Sequence, residues 1–225
     1  MIKLSANLNK IALIRNSRAG DYPSVSAHAR ICIAAGADGI TVHPRPDQRH
    51  IRPADVRELA ALVKASPQVE FNVEGNPLAE PEGDYPGLLE LVRATRPDQC
   101  TLVPDSRHQL TSDQGFDLRA AGTVLRPIIA ELQALGVRVS LFMDPDCAQI
   151  ELAAQLGAER IELYTGPFAA AWRDPAIAMP LFEIYRAAAN HANACGLGVN
   201  AGHDLNLDNL GKFATLPGLL EVSIG

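Results

Sequence analysis

Gly39-Ile40-Thr41-Val42-His43-Pro44-Arg45-Pro46-Asp47-Gln48-Arg49-His50 decides how the chain is read. Ile40 to Val42 is a short β-branched apolar run, the mark of a buried strand. The run stops at once, because Pro44 and Pro46 lack backbone donors and cannot extend a central strand. His43, Arg45, Arg49 and His50 therefore fall at or just past a strand's C-terminal end, which in α/β proteins is where ligands bind.

The same alternation of strand and helix extends in both directions. Upstream, a strand from Ile2 runs into Asn7-Leu8-Asn9-Lys10, and Ala27, Ile31, Ala34 and Ala35 recur at helical spacing before a stop at Gly36. Downstream, Pro53 opens an amphipathic helix whose apolar face is Val56, Leu59, Ala60 and Val63. Val69 to Gly75 then alternates with period two: Val69, Phe71 and Val73 share one face, and Glu70, Asn72 and Glu74 the other. A polar row of this kind usually faces solvent, but in a closed barrel it points into the lumen. Further strands are expected at 99–103, 137–142, 160–165, 197–200 and 219–224. Helices are expected at 86–95, 118–135, 146–156, 174–195 and 206–215, with Pro127 forcing a kink or a restart in the second of these. Repeats of about 25–35 residues are the length of a βα unit. Eight such alternations predict an α/β protein, a single (β/α)8 TIM barrel over residues 1–225. The sequence ends at Gly225, directly after the eighth strand, so an eighth helix is expected beyond it.

The chain has 225 residues, 47% of them hydrophobic and 20% charged, an ordinary globular balance. A net charge of -6 argues against a nucleic-acid surface, although arginines gathered in one pocket would still suit an anionic small molecule. No run of about 18 apolar residues predicts a membrane span, and Met1-Ile-Lys-Leu-Ser enters a strand with no signal-peptide core. Cys32, Cys100, Cys147 and Cys195 follow no metal-ligand spacing and read as reduced thiols in a cytoplasmic enzyme.

Strand ends in a barrel converge on one face. The polar residues expected there are Asn7, Asn9 and Lys10; His43, Arg45 and His50; Glu70, Asn72 and Glu74; Thr101; Glu162 and Thr165; and Asn200 and His203. Carboxyls and imidazoles around one lumen suit repeated proton transfers, and the cations suit phosphate. Taken singly, each has a plainer reading: Glu70 as a salt-bridge partner of Arg45, or His43 as a structural strand-end histidine. Glu74 stands open between the two roles. His28, His108 and His191 read as helix and loop positions.

Taken together, Asn7 to Arg18, Gly36 to His50, Glu70-Phe-Asn-Val-Glu74, Arg160 to Gly166 and Val199-Asn-Ala-Gly-His203 resemble the pyridoxine 5′-phosphate synthase family of vitamin B6 biosynthesis. The resemblance implies a homo-octameric barrel. It implies condensation of 1-deoxy-D-xylulose 5-phosphate with 3-amino-2-oxopropyl phosphate, without metal or organic cofactor, nucleic acid or membrane. It implies His43 as a base, Glu70 as the main acid/base carboxylate, Glu162 as a transition-state stabiliser and His203 as a proton donor. Asn7, Asn9, Lys10, Arg18, Arg45, His50, Thr101 and Asp204 match substrate contacts, and Gly225 matches the glycine of a phosphate-binding Gly-His pair. Much of the family has Asp and His where this chain has Asn9 and Lys10, which removes one titrating imidazole and supplies a fixed cation. Two other functions are open to the same residues: a different phosphosugar enzyme on this barrel, and a sensor that binds such substrates without turnover.

Overall fold

The structure, a computed structural model, describes residues 1–106 and 109–225; the loop reading of His108 lies outside the described residues. In chain order the elements are β1 Lys3–Asn7, α1 Asn9–Asn16, α2 Val25–Ala34, β2 Gly39–Val42, α3 Pro53–Lys64 and β3 Glu70–Gly75. Then come α4 Leu88–Thr95, β4 Gln99–Leu102, α5 Leu118–Ala134, β5 Arg138–Met143, α6 Cys147–Leu156 and β6 Arg160–Tyr164. The chain finishes with α7 Gly166–Ala171, α8 Pro175–Ala194, β7 Gly198–Gly202, α9 Leu210–Phe213 and β8 Leu219–Ile224. Each strand pairs in parallel with its sequence neighbours, and β1 closes on β8 through Lys3↔Glu221 and Ser5↔Ser223. This is the α/β barrel expected from the alternation.

Local chemistry explains where the helices begin. Asp117, Asp146 and Asp174 each accept a backbone N–H at the start of α5, α6 and α8, and Ser24 does so for α2. Pro53 and Pro175 open α3 and α8, where a missing donor costs nothing. Pro127 does not force a restart: α5 runs through it. Thr123 and Pro127 are both exposed, so water can take the carbonyl that the proline ring frees.

The period-two pattern separates two interiors. Ile40, Val42, Phe71, Val73, Leu102, Leu141, Ile161 and Val199 point outward from the sheet and are buried beneath the helices. The lumen is polar. Ser5 Oγ lies 2.6 Å from Thr41 Oγ1, Thr101 Oγ1 donates to Asn72 Oδ1 at 3.1 Å, and Arg160 Nη1 donates to Asn200 Oδ1 at 3.1 Å. These bonds satisfy groups that would be costly to bury alone. Phe168, Phe182, Tyr185 and Phe213 form an aromatic cluster that ties α7, α8 and α9 together. Among the described residues, no helix is long and apolar enough to cross a membrane.

Candidate active site

The C-terminal strand ends enclose a cavity of about 460 Å³. From β1 and the start of α1 it receives Asn7, Asn9 and Lys10, and from the segment after β2 it receives His43, Arg45, Arg49 and His50. Glu74 of β3, Glu162 of β6, His203 and Asp204 after β7, and Gly225 after β8 complete the polar wall. Phe142 and Leu205 add apolar surface. A second cavity of about 620 Å³ adjoins it, sharing His43, Arg45 and Arg49 and reaching to Asn76 and Glu80.

His43 is buried at the centre of this arrangement. Asn9 Oδ1 accepts its backbone N–H at 2.9 Å, so Asn9 clasps the start of α1 to the end of β2. The ring's Nδ1 lies 3.8 Å from Glu74 Oε2, and its Nε2 lies 3.1 Å from Asp105 Oδ2. Asp105 also meets Arg45 Nη2 at 2.5 Å. Burial lowers the His43 pKa more strongly than Asp105 raises it, which keeps the imidazole neutral. Burial alone would push Asp105 up, but His43 and Arg45 outweigh it and hold this carboxyl below its usual value. His50 is pushed down to about 3, first by burial and then by the guanidinium charges of Arg45 and Arg49. Its Nδ1 accepts the Ile51 N–H at 2.9 Å, so the neutral ring carries its proton on Nε2, as a donor.

Glu74 and Glu162 behave in the opposite sense. Burial raises Glu74 well above its usual range, and the neighbouring Glu162 and Asp105 reinforce this. Glu162 is raised to about 8, by burial and then by Glu221. Glu162 is therefore held in the acid form at neutral pH, and Glu74 is pushed in the same direction. Gly202 makes room for Glu162: a Cβ at that position would sit 2.3 Å from Glu162 Oε1. His203 faces the same space, its Nε2 2.7 Å from Thr111 Oγ1 and its ring edge-on to Tyr164 at 5.1 Å.

The cavity gathers His43, Glu162, His203, Asn7, Asn9, Lys10, Arg45, His50, Asp204 and Gly225 from the set expected on sequence grounds. Three residues fall elsewhere. Glu70 opens β3 at the opposite mouth of the barrel, where its half-exposed carboxylate pairs with Arg138, which lowers its pKa. It lines a small cleft of about 70 Å³ with Lys3, Asp38 and Gln68. Glu74 takes the expected place of Glu70: the two share a face of β3, but four residues of strand separate them by about 13 Å. Thr101 sits one layer down in the lumen, bonded to Asn72, and Thr111 borders the cavity instead. Arg18 is exposed just past α1 and does not line the cavity.

Of the groups not singled out from sequence, Asp105 had a visible signal, the Pro104-Asp105 stop after a strand. Thr111 lies in an irregular loop with no period to mark it. Arg15 is scaffold: it is buried and donates twice to Asp55, at 2.5 and 2.9 Å.

Solved structures with the same architecture include the HMG-CoA lyase from Brucella melitensis, with a TM-score of 0.60 at 15% identity over 99% of this chain and 80% of that one. D-Psicose 3-epimerase from Clostridium cellulolyticum H10 gives 0.56 at 12% identity, covering 99% and 84%. At such identities the likeness concerns the fold. Sequence relatives carry more. The chain is 58% identical to the pyridoxine 5′-phosphate synthase of Xanthomonas oryzae pv. oryzae strain MAFF 311018, over 100% of its own length and 88% of that protein's. It is 54% identical to the protein of the same name from Xylella fastidiosa strain M23, covering 99% and 85%. The family model of the pyridoxal phosphate biosynthesis protein PdxJ matches residues 4–225. The chain therefore belongs to the PdxJ family, the pyridoxine 5′-phosphate synthases of vitamin B6 biosynthesis.

Proposed function

We propose that this barrel condenses 1-deoxy-D-xylulose 5-phosphate with 3-amino-2-oxopropyl phosphate to pyridoxine 5′-phosphate, releasing phosphate and water. The observation that carries this reading is the meeting of His43, Glu74, Glu162 and His203 with Arg45, Arg49 and Lys10 around one cavity. Such a reaction moves protons at each stage. The amine adds to a ketone and water leaves, giving an imine. A base takes a carbon-bound proton and phosphate departs. Water adds, an aldol-type closure makes the ring, and loss of two further waters gives the aromatic pyridine.

The arrangement supports a division of labour. Glu162, held protonated by burial, and Glu74, its pKa raised by burial, deliver protons to departing oxygens. Neutral His43, with Nδ1 toward Glu74, takes protons from carbon or nitrogen. Arg45, Arg49 and Lys10 supply positive charge for two phosphates, and His50 adds an Nε2–H donor that burial keeps neutral. General acid–base help contributes ~10²–10⁴-fold per step, and holding two reactants together contributes as much again or more. The adjoining cavities offer separate room for two small phosphorylated molecules.

We extend the reading to a cytoplasmic homo-octamer. The family resemblance supports this, as do four free cysteines and exposed Leu13, Ile14 and Ile31 on α1 and α2. Light scattering tests the assembly. The activity itself is tested by incubating the protein with both phosphorylated substrates. Appearance of pyridoxine 5′-phosphate supports the reading, and no product from folded protein rejects it.

A further inference from the structure

His203 and Asp204 are consecutive non-glycine residues in the left-handed region, with φ of +88° and +58°. Side chains are disfavoured there, so the conformation needs a reason. Thr165 Oγ1 staples the turn, donating to the Gly202 carbonyl at 2.6 Å and contacting the His203 carbonyl. Asn209 Nδ2 donates to the Asp204 carbonyl at 3.2 Å. In a strand, successive side chains point to opposite faces, so a continued β7 would aim Asp204 away from His203. The left-handed turn brings them together instead, with His203 Nδ1 and Asp204 Oδ2 2.9 Å apart.

We infer that Asp204 is a positioning residue for His203, and that the strained turn persists because it delivers the Asp204 carboxylate to Nδ1. The carboxylate can only accept in this contact, so Nδ1 carries the proton. Nε2 is then the nitrogen presented to the cavity, beside Thr111 Oγ1 at 2.7 Å. Tyr164 holds the ring edge-on from β6. His203 is thereby fixed in tautomer and direction before substrate arrives. The catalytic consequence rests on the proposed role of His203 as a proton carrier; the tautomer does not.

The test uses the full chain without ligand. ¹⁵N-histidine NMR reports which nitrogen of neutral His203 is protonated in the wild type, Asp204→Gly and Asp204→Asn. The wild type is expected in the Nδ1–H form. Asp204→Gly should lose that preference, while its melting temperature rises by about 2–4 °C because glycine fits the left-handed turn. Its kcat should fall about tenfold, a part of what a positioned proton carrier contributes. Asp204→Asn keeps an acceptor oxygen and should restore much of the Nδ1–H signal and of kcat. An Nε2–H wild type, or an Asp204→Gly variant with unchanged tautomer, overturns the inference. If the wild type makes no product but the tautomer shifts as expected, the functional reading fails while the pairing stands.

Discussion

Burial raises Glu162 to about 8 and Glu74 well above its usual range, whereas Arg138 holds Glu70 low at the other mouth of the barrel. The same residue type is thus pushed toward its acid form in one place and held as a surface ion-pair partner in another. If protonated Glu162 is required in the bound complex, kcat should decline as pH rises through about 8; a kcat profile flat from pH 7 to pH 9 would contradict this. His50 stays neutral throughout that range because its pKa is pushed down to about 3. If His50 donates to a substrate phosphate as proposed, replacing it with alanine should raise KM by about tenfold with kcat little changed, read from steady-state kinetics. The sequence made the polar face of β3 legible, since Glu70, Asn72 and Glu74 alternate with Val69, Phe71 and Val73. Alternation gives the face but not the depth along the strand. Depth needs the strand's end, which Gly75 marks, and Glu74 is the carboxylate beside it.

Elements were legible where hydrophobic period and caps agree, as in α3 with Pro53 and in α6 between Asp146 and Gly157. They were not legible where tertiary contacts decide. The short α7 is held by Phe168 in its aromatic cluster, a long-range arrangement with no local signature. α1 owes its placement to Arg15, which reaches Asp55 at the start of α3 and the His50 carbonyl. Removing Arg15 would leave Asp55 buried with, among the described residues, only the Arg52 N–H still donating to it. Arg15→Ala should therefore cost about 3–5 kcal/mol in denaturant unfolding, and a loss under 1 kcal/mol would show the pair to be dispensable. The end of β7 carries a different constraint. Gly202→Ala would place its Cβ 2.3 Å from Glu162 Oε1, so the carboxyl must move. Turnover should fall at least tenfold, and unchanged kinetics would mean that Glu162's position is immaterial.

Across the whole molecule, a polar lumen inside an apolar shell ties stability to pH. The folded state keeps Glu162 protonated up to about 8, while an unfolded chain releases that proton near 4.5. Between those values the folded form binds more protons, so this contribution declines as pH rises. His50 works the other way, but only between about 3 and 6.5. Stability measured from pH 6.5 to 8 should therefore fall in the wild type and fall less in Glu162→Gln; equal slopes would contradict the burial of an acid-form carboxyl. The central claim is that proton transfer to two phosphorylated substrates occurs in the cavity at the C-terminal mouth, with Glu74 as the β3 carboxyl. Parallel turnover assays of Glu74→Gln and Glu70→Gln decide it. Pyridoxine 5′-phosphate formation should drop by about 10²-fold or more in Glu74→Gln and stay within about twofold of wild type in Glu70→Gln. The reverse pattern would place the chemistry at the wrong end of the barrel.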